Sequence, residues 1–306
     1  MESKYLEFIQ KFLGESPVMM PEPTNIEPLF RPDPGIRAMI FDIYGTIMIS
    51  ASGDIEESDI SARNLEQSLN FSDIAILSTG RAKQEILFQM LQAFRDEIAT
   101  VHETEKSPEK PFPEIDILSI WETILYKQMQ NDNIKFTVPL CIKCFTFVFE
   151  TLSNNIYPMP RMKQVIKKLS DKGMPLGIIS NAQFYTPVIL NYFLNETITE
   201  DENVKPFDPG ITVYSYKHQR AKPDPFLFDI VTRNCREKFS ISPKQILFLG
   251  NDMFRDIYPA HKAGFKTALF AGDNRSLRLR EEKPELNHIT PDYVITDLDQ
   301  LLKIIV

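Results

Sequence analysis

Short apolar runs along the chain alternate with longer segments in which apolar residues recur every three or four positions. A short continuous apolar run is typical of a buried strand, whereas the longer repeat is typical of a helix that buries one face. Strands are predicted at 38–41, 174–179, 211–216, 245–249, 266–270 and 293–295. Helices are predicted at 161–172, 223–238, 254–263 and 298–304. This alternation predicts an α/β fold built around a parallel sheet.

A long segment separates the first predicted strand from the second, and its apolar periodicity is helical throughout. One strand, a helical insertion and then repeated helices and strands are typical of a parallel sheet that carries a helical cap. We therefore expect a core domain of residues 36–49 and 158–306, and a cap domain of residues 50–157. Within the cap, helices are predicted at 60–69, 83–100 and 115–131.

Residues 1–35 precede this pattern and differ from it in composition. An amphipathic stretch at 5–13 is followed by a connection rich in proline. The apolar face of such a helix more often packs on its own chain than on another protein. We predict an N-terminal arm and linker laid on the main body, and a helix that binds a partner is the alternative.

The length and net charge of the chain limit the classes of function that it can have. The chain has 306 residues and a formal net charge of -8, whereas nucleic acids and anionic membranes reward clustered Lys and Arg. We therefore expect a small-molecule substrate, with no nucleic-acid or membrane partner. The first residues are charged and no apolar run reaches the length of a membrane span, so a soluble, cytoplasmic protein is predicted.

Three cysteines are too few for a disulfide framework. Cys141 and Cys144 have the spacing of a redox motif or of half a zinc site, but no second Cys or His pair accompanies them. Because free Cys often behaves as a small buried hydrophobe, we expect two structural thiols here.

Polar residues follow four of the predicted strands. Parallel strands present their carboxyl ends at one edge of the sheet, so side chains placed there can converge. A single polar residue at a strand end is more often a cap than a catalytic group. Four such ends in one chain are more specific. They carry Asp42, Ser180 with Asn181, Lys222, and the run Gly250, Asn251, Asp252 with Asp256.

This ordered set resembles the haloacid dehalogenase-like (HAD) superfamily. Its first motif is matched by residues 42–46, its second by 180–181, its third by 222–225 and its fourth by 250–256. The resemblance extends from about residue 36 to the C-terminus. It implies a Rossmann-like core with a helical cap inserted between the first and second motifs, and it implies hydrolase activity.

The resemblance gives each residue a role that has a physical rationale. Asp42 would be the nucleophile that forms a covalent intermediate. Lys222 and Ser180, with Asn181 beside it, would stabilise the charge of the transferred group. Gly45 would let the loop turn closely around that group, and the hydroxyl of Thr46 would hold it.

The acidic residues of the set predict a metal ion. Asp42 and Asp252, with Asp256 as a further candidate, combine with the Tyr44 carbonyl into an oxygen-rich site suited to Mg²⁺. Without a cation, clustered carboxylates would repel one another and an anionic substrate.

Tyr44 departs from the pattern of the family's phosphatases, which carry a second aspartate at this position as proton donor and base. Positioned proton transfer contributes roughly 10²–10⁴ in rate, and a phenol is a poor base at neutral pH. The family's haloacid dehalogenases carry Tyr at this position, because a halide leaves without a proton. Those enzymes work without metal and have fewer acids in the fourth motif, so Asp252 and Asp256 favour phosphoryl chemistry.

Three readings follow. The first is a Mg²⁺-dependent phosphohydrolase that acts through an aspartyl-phosphate on a small phosphorylated metabolite, one with a good leaving group if Tyr44 replaces the proton donor. The second is hydrolysis at carbon, as in a 2-haloacid dehalogenase, with phosphonate cleavage as a related reaction. The third is a binding or regulatory protein on the same fold. In the cap, Arg81 is the candidate for contact with a substrate anion, because guanidinium groups pair well with phosphate and carboxylate.

Overall fold

The computed structural model describes residues 2–52, 60–136 and 141–305. Its strands are β1 (Ala38–Phe41), β2 (Met48–Ser50), β3 (Ile74–Ile76), β4 (Ile134–Phe136), β5 (Ile156–Pro158), β6 (Leu176–Ser180), β7 (Thr212–Tyr214), β8 (Ile246–Gly250), β9 (Lys266–Phe270) and β10 (Tyr293–Ile295). Its α-helices are α1 (Glu2–Gly14), α2 (Ala62–Phe71), α3 (Gly80–Thr104), α4 (Ile117–Gln130), α5 (Ile142–Ser153), α6 (Met162–Asp171), α7 (Thr186–Asn195), α8 (Ser215–His218), α9 (Pro225–Phe239), α10 (Tyr258–Lys262) and α11 (Leu301–Ile304).

The main sheet has six strands in the order β10-β9-β8-β1-β6-β7. Every neighbouring pair is parallel, which confirms the predicted α/β class. β1 lies between β8 and β6, and all four of its residues are buried. A strand in this position has sheet on both sides and helices above and below, so a continuous apolar run suits it.

The predicted elements agree with the structure in kind and differ at their ends. β9 and β10 have the predicted bounds. The strand predicted at 211–216 ends at Tyr214, because Ser215 begins the short helix α8. The helix predicted at 254–263 is a π-helical turn, Met253–Ile257, continued by α10.

The segment between β2 and β5 builds its own apolar cluster. α2, α3, α4 and part of α5 bury a group of aromatic and aliphatic side chains around Trp121, and the antiparallel pair of β3 and β4 contributes Ile74 and Ile134 to it. β2 and β5 pair in antiparallel fashion where this segment leaves the main sheet and returns to it. The domain boundaries at 50 and 157 stay a prediction, and residues 53–59 and 137–140 of the proposed cap lie outside the described chain.

The N-terminal arm packs on its own chain. Ile9 and Leu13 of α1 are buried in the main apolar cluster, and Phe12 makes edge contacts with Phe71 at the end of α2 and with Phe147 of α5. The linker then passes the last strand of the sheet, where Leu29 forms a β-bridge with Val294.

A disulfide bond joins Cys141 and Cys144, so the expectation of two structural thiols is wrong. The pair lies at the start of α5, where one helical turn brings the Cα atoms to 5.2 Å, a separation within the ordinary range for disulfides. Cys235 is a buried free thiol. No helix in the described part of the chain is both long and apolar enough to cross a membrane.

Candidate active site

The polar strand ends converge on one pocket, as the topology requires. Its cavity volume is about 90 Å³. The lining combines residues from the ends of β1, β6 and β8 and from the loop before α9 with residues from α5 and the loop after it. The lining residues are Asp42, Tyr44, Ser50, Glu150, Asn154, Ile156, Asn181, Tyr185, Lys222, Asn251, Asp252, Arg255, Asp256 and Arg278.

Asp42 is held at the centre of this pocket by three donors. Its Oδ1 accepts hydrogen bonds from the Ser180 hydroxyl at 3.0 Å and from the Lys222 ammonium at 2.6 Å. Its Oδ2 lies 3.0 Å from the Thr46 hydroxyl. The carboxylate is therefore fixed in one orientation beside a positive charge, which is the arrangement a nucleophile needs for attack on an anionic group.

Lys222 bridges two carboxylates and is almost fully buried. Its ammonium donates to Asp42 and, at 2.5 Å, to Asp256. Burial opposes the charged form, but the carboxylates of Asp256 and Asp42 outweigh burial and raise the pKa of Lys222. The backbone N–H of Lys222 donates to Asn181 Oδ1 at 2.7 Å, so Asn181 positions the lysine loop.

Asp256 is bound by a cation and by backbone N–H groups. One oxygen accepts from Lys222, and the other accepts at 3.0 Å from the backbone N–H groups of Asn251 and Asp252. Burial raises the pKa of Asp256, and the Lys222 ammonium opposes that increase. Asp256 thus holds Lys222 and the loop after β8 in place, and its role as a metal ligand stays a prediction.

Gly45 lets the loop after β1 approach the loop after β8. Its φ angle is +80°, and a Cβ atom there would lie 2.5 Å from side-chain atoms of Asn251 and Ser276. The Thr46 hydroxyl lies 3.0 Å from both Asp42 Oδ2 and Asn251 Oδ1, and its single hydrogen can be donated to only one of them at a time.

Asp252 lines the pocket and is, with Asp42, a candidate ligand for a metal ion. Its Oδ1 accepts from the backbone N–H groups of Phe254 and Arg255, and its Oδ2 accepts from the Arg280 guanidinium at 2.9 Å. Among residues 2–52, 60–136 and 141–305, no group of three or more acidic, histidine or cysteine side chains is arranged to hold a metal ion. Mg²⁺ needs fewer, since one or two carboxylates with water and substrate phosphate suffice. The donor chemistry of Asp42 and Asp252 fits that requirement.

Tyr44 is unsuited to act as a base. Its hydroxyl is 2.8 Å from the Thr186 hydroxyl. Burial raises the pKa of Tyr44 above its ordinary value, and the charges of Asp42 and Glu150 add to the increase. The phenol therefore keeps its proton at neutral pH and pairs with Thr186.

The sequence-based predictions missed Glu150, which lines the same pocket from α5. Tyr185 donates a hydrogen bond to its Oε2 at 3.3 Å, whereas Oε1 is shielded from solvent and has no hydrogen-bond partner among the described residues. Burial raises the pKa of Glu150 to about 7, and hydrogen bonding by Tyr185 opposes this. A single carboxyl directly after the largely apolar run 145–149 was the available signal.

The structure does not bring Arg81 to the pocket. Its side chain is 94% exposed and pairs with Glu85 one turn along α3. An i,i+4 pair on a solvated helix face satisfies the guanidinium without a substrate. Arg255 and Arg278 line the pocket instead; the sequence pattern placed Arg278 on a solvated helix face and gave Arg255 no role.

A sequence profile described as haloacid dehalogenase-like hydrolase matches residues 91–270, more than half of the chain. This chain belongs to the haloacid dehalogenase-like hydrolase family. The match begins inside α3, so Asp42 and its neighbours precede it and are assigned by the motif and the geometry above.

Curated relatives are phosphatases. The phosphoglycolate phosphatase of Escherichia coli (strain K12) is 25% identical over 229 residues, which cover 75% of this chain and 79% of that protein. The phosphoglycolate phosphatase of Haemophilus influenzae (strain 86-028NP) is 27% identical over 165 residues, which cover 53% of this chain and 63% of that protein. Among solved structures, the 2-haloacid dehalogenase from Pseudomonas syringae pv. Tomato DC3000 has a TM-score of 0.53 at 15% identity, with 88% of this chain and 97% of that chain covered. At that identity, the similarity concerns the fold alone.

Proposed function

We propose that this hydrolase is a Mg²⁺-dependent phosphohydrolase that acts on a small phosphorylated metabolite through an aspartyl-phosphate on Asp42. The observation that carries the proposal is the position of Asp42 in a pocket that it shares with a buried lysine, two arginines and a second acidic cluster. A phosphate brings negative charge toward a negative nucleophile, and positive charge must compensate for it.

Each neighbour of Asp42 has a task in this proposal. Lys222 offsets the charge of the incoming phosphoryl group, to which the Ser180 hydroxyl can donate once Asp42 forms its new bond. Gly45 leaves room for the phosphoryl oxygens near the backbone. Arg255 and Arg278 supply positive charge at the pocket wall, where an anionic part of the substrate would lie.

Asp42 and Asp252, with the Tyr44 carbonyl, would hold Mg²⁺. When bound, Mg²⁺ supplies positive charge that neutralises the phosphoryl oxygens. Arg280 currently pairs with Asp252, and it would have to share that carboxylate with the ion. The phosphatase names of the relatives at 24–27% identity agree with this choice of chemistry.

The test is hydrolysis of phosphoglycolate and of p-nitrophenyl phosphate by the purified protein, with Mg²⁺ and with excess chelator. We expect phosphate release that requires Mg²⁺ and that Asp42→Asn abolishes, because an amide cannot form the acyl phosphate. Asp73→Asn, on the loop after α2, is the matched control and should keep full activity. Release that is unchanged in Asp42→Asn would exclude the proposal.

Hydrolysis at carbon is the second candidate, and Tyr44 is the observation that favours it. A halide needs no proton when it leaves, so a neutral phenol at this position costs a dehalogenase nothing. Halide release from 2-chloropropionate that is indifferent to chelator, with no phosphate release from the esters above, would assign this second function.

A further inference from the structure

The proposed reaction needs a proton donor that Tyr44 does not supply. When Asp42 attacks the phosphorus of an alkyl phosphate, the departing alkoxide requires a proton, and the water that later cleaves the aspartyl-phosphate must lose one. The Tyr44 hydroxyl is paired with Thr186 and holds its proton too tightly to act as the base.

The other acidic groups at the described pocket wall are already engaged. Asp42 is the nucleophile, Asp256 is bound by Lys222 and by two backbone N–H groups, and Asp252 is bound by Arg280 and by two further N–H groups. Burial raises the pKa of Asp256 to about 7 as well, but Lys222 and the two N–H groups occupy both of its oxygens, so neither is left to exchange a proton with a substrate.

Glu150 differs from these three carboxyls in its partners. It lines the pocket from α5, and Tyr185 and Trp121 lie beside it. Neither Arg nor Lys pairs with it among the ion pairs of the described residues, and its Oε1 has no hydrogen-bond partner there. Asp42, Tyr44 and Glu150 line the same pocket, and the charges of Asp42 and Glu150 both raise the pKa of the Tyr44 hydroxyl.

We propose that Glu150 is the general acid and base of this hydrolase, in place of the aspartate that Tyr44 replaces. The inference rests on the proposed phosphohydrolase function. It extends the substrate class from activated phosphates to ordinary alkyl phosphate monoesters, whose leaving group must be protonated.

The two half-reactions balance with water as the second reactant. In the first, an Asp42 oxygen bonds to phosphorus, the bond from phosphorus to the alkyl oxygen breaks, and the Glu150 proton passes to that oxygen to release the alcohol. In the second, Glu150 takes a proton from water, the water oxygen bonds to phosphorus, and the bond to Asp42 breaks. Phosphate leaves, and Glu150 again carries a proton.

The buried environment suits this cycle. Burial raises the pKa of Glu150 to about 7, and a group that must both give and take a proton works best when its pKa lies near the working pH. An exposed glutamate, with an ordinary pKa of about 4.3, would rarely carry the proton at neutral pH.

The experiment compares Glu150→Gln with the wild-type protein on two esters in the presence of Mg²⁺. Phosphoglycolate has an alkoxide leaving group that needs a proton, whereas the p-nitrophenolate of p-nitrophenyl phosphate leaves without one. Glu122→Gln, an exposed glutamate of α4, is the matched control. Thermal unfolding of each variant verifies that it folds.

We expect kcat for phosphoglycolate to fall by roughly 10²–10⁴ in Glu150→Gln, with wild-type values in Glu122→Gln. With p-nitrophenyl phosphate, Glu150→Gln should still give a burst of one p-nitrophenolate per protein, and the phosphoryl group should then accumulate on Asp42, because water lacks its base. A folded Glu150→Gln with wild-type kcat for phosphoglycolate overturns this inference alone. It is also overturned by equal losses in burst and turnover, which indicate a structural role. Phosphatase activity absent from the wild-type protein overturns the proposed function itself.

Discussion

At the scale of single residues, Gly45 places the nucleophile loop against the loop after β8. Two separate demands meet at this position, since its φ of +80° is strained for any other residue and a Cβ atom would overlap Asn251 and Ser276. Gly173 has a φ of +73° with no atom within 4 Å of a Cβ. The two glycines therefore share the backbone requirement, and only Gly45 has the steric one.

We expect Gly173→Ala to lower the free energy of unfolding by about 1–2 kcal/mol, the usual penalty for an L-residue in this region. Gly45→Ala should cost more, by roughly another 1–3 kcal/mol for overpacking, and should abolish phosphate release. Urea unfolding of both variants measures the difference. Equal losses would mean that the loops do not approach as closely as described.

Buried carboxyls make stability depend on pH, and Glu150 is a strong case. Tyr185 before α7 and Trp121 of α4 lie beside it, and the charge of Glu150 raises the pKa of Tyr44 after β1. The pKa of Glu150 is about 7 in the folded protein against an ordinary value of 4.5, so the folded state binds the extra proton between these values. Stability then decreases as pH rises from about 4.5 to about 7, because the unfolded chain releases the proton first.

Glu150→Gln removes this dependence, since an amide does not titrate. The free energy of unfolding of the variant, relative to the wild-type protein, should therefore improve between pH 5 and pH 8 by up to roughly 3 kcal/mol. Glu122→Gln should show no such change. Denaturant unfolding at the two pH values measures it, and a constant difference would mean that Glu150 is not a buried, neutral acid.

The sequence predicted some residues of the site correctly and missed others. Asp42, Ser180, Lys222 and Asp256 follow predicted strands, and strand ends of a parallel sheet meet at one edge. Glu150 comes from a helix whose position depends on packing, so no local pattern placed it in the pocket. The same reason explains Arg81. Its guanidinium made it a candidate for contact with a substrate anion, but packing leaves it exposed to solvent.

At the scale of elements, α1 is part of the fold, although it precedes the first motif. Ile9 is fully buried in the main apolar cluster, whereas Val18 of the linker that follows is 73% exposed. The helix contacts the end of α2 and also α5, so it connects the arm to the helix that carries Glu150.

Ile9→Ala should lower the free energy of unfolding by about 2–5 kcal/mol, as expected for a large aliphatic side chain removed from a packed core. Val18→Ala should change it by less than about 0.5 kcal/mol, as is usual for surface substitutions. Chemical denaturation of both variants provides the comparison. An unchanged stability of Ile9→Ala would favour the alternative in which the helix serves a partner.

Element prediction succeeded for the strands of the main sheet and missed the short strands outside it. Buried strands such as β8 are recognisable as continuous apolar runs. β2, β3, β4 and β5 have three residues each, too few to show a period of two. The π-helical turn at Met253–Ile257 depends on hydrogen bonds from its first N–H groups to Asp252, which apolar periodicity does not report.

At the scale of the whole molecule, the proposed cap and the core meet over the pocket. Glu114, from the segment between α3 and α4, accepts a 2.6 Å hydrogen bond from Ser215 of the core, whose oxygen in turn accepts from the backbone of Ala182. Ala182 directly follows Asn181. These contacts join the proposed cap to the loop that holds Lys222.

The central claim is that Asp42 forms an acyl phosphate, and trapping this species tests it most directly. The protein is mixed with p-nitrophenyl phosphate and Mg²⁺, quenched in acid within the first turnover, digested and analysed by mass spectrometry. We predict that the peptide containing Asp42 gains the mass of one phosphoryl group, and that this gain is absent without Mg²⁺. An unmodified Asp42 peptide under these conditions, together with an ester on Asp42 after incubation with 2-chloropropionate, would contradict the account.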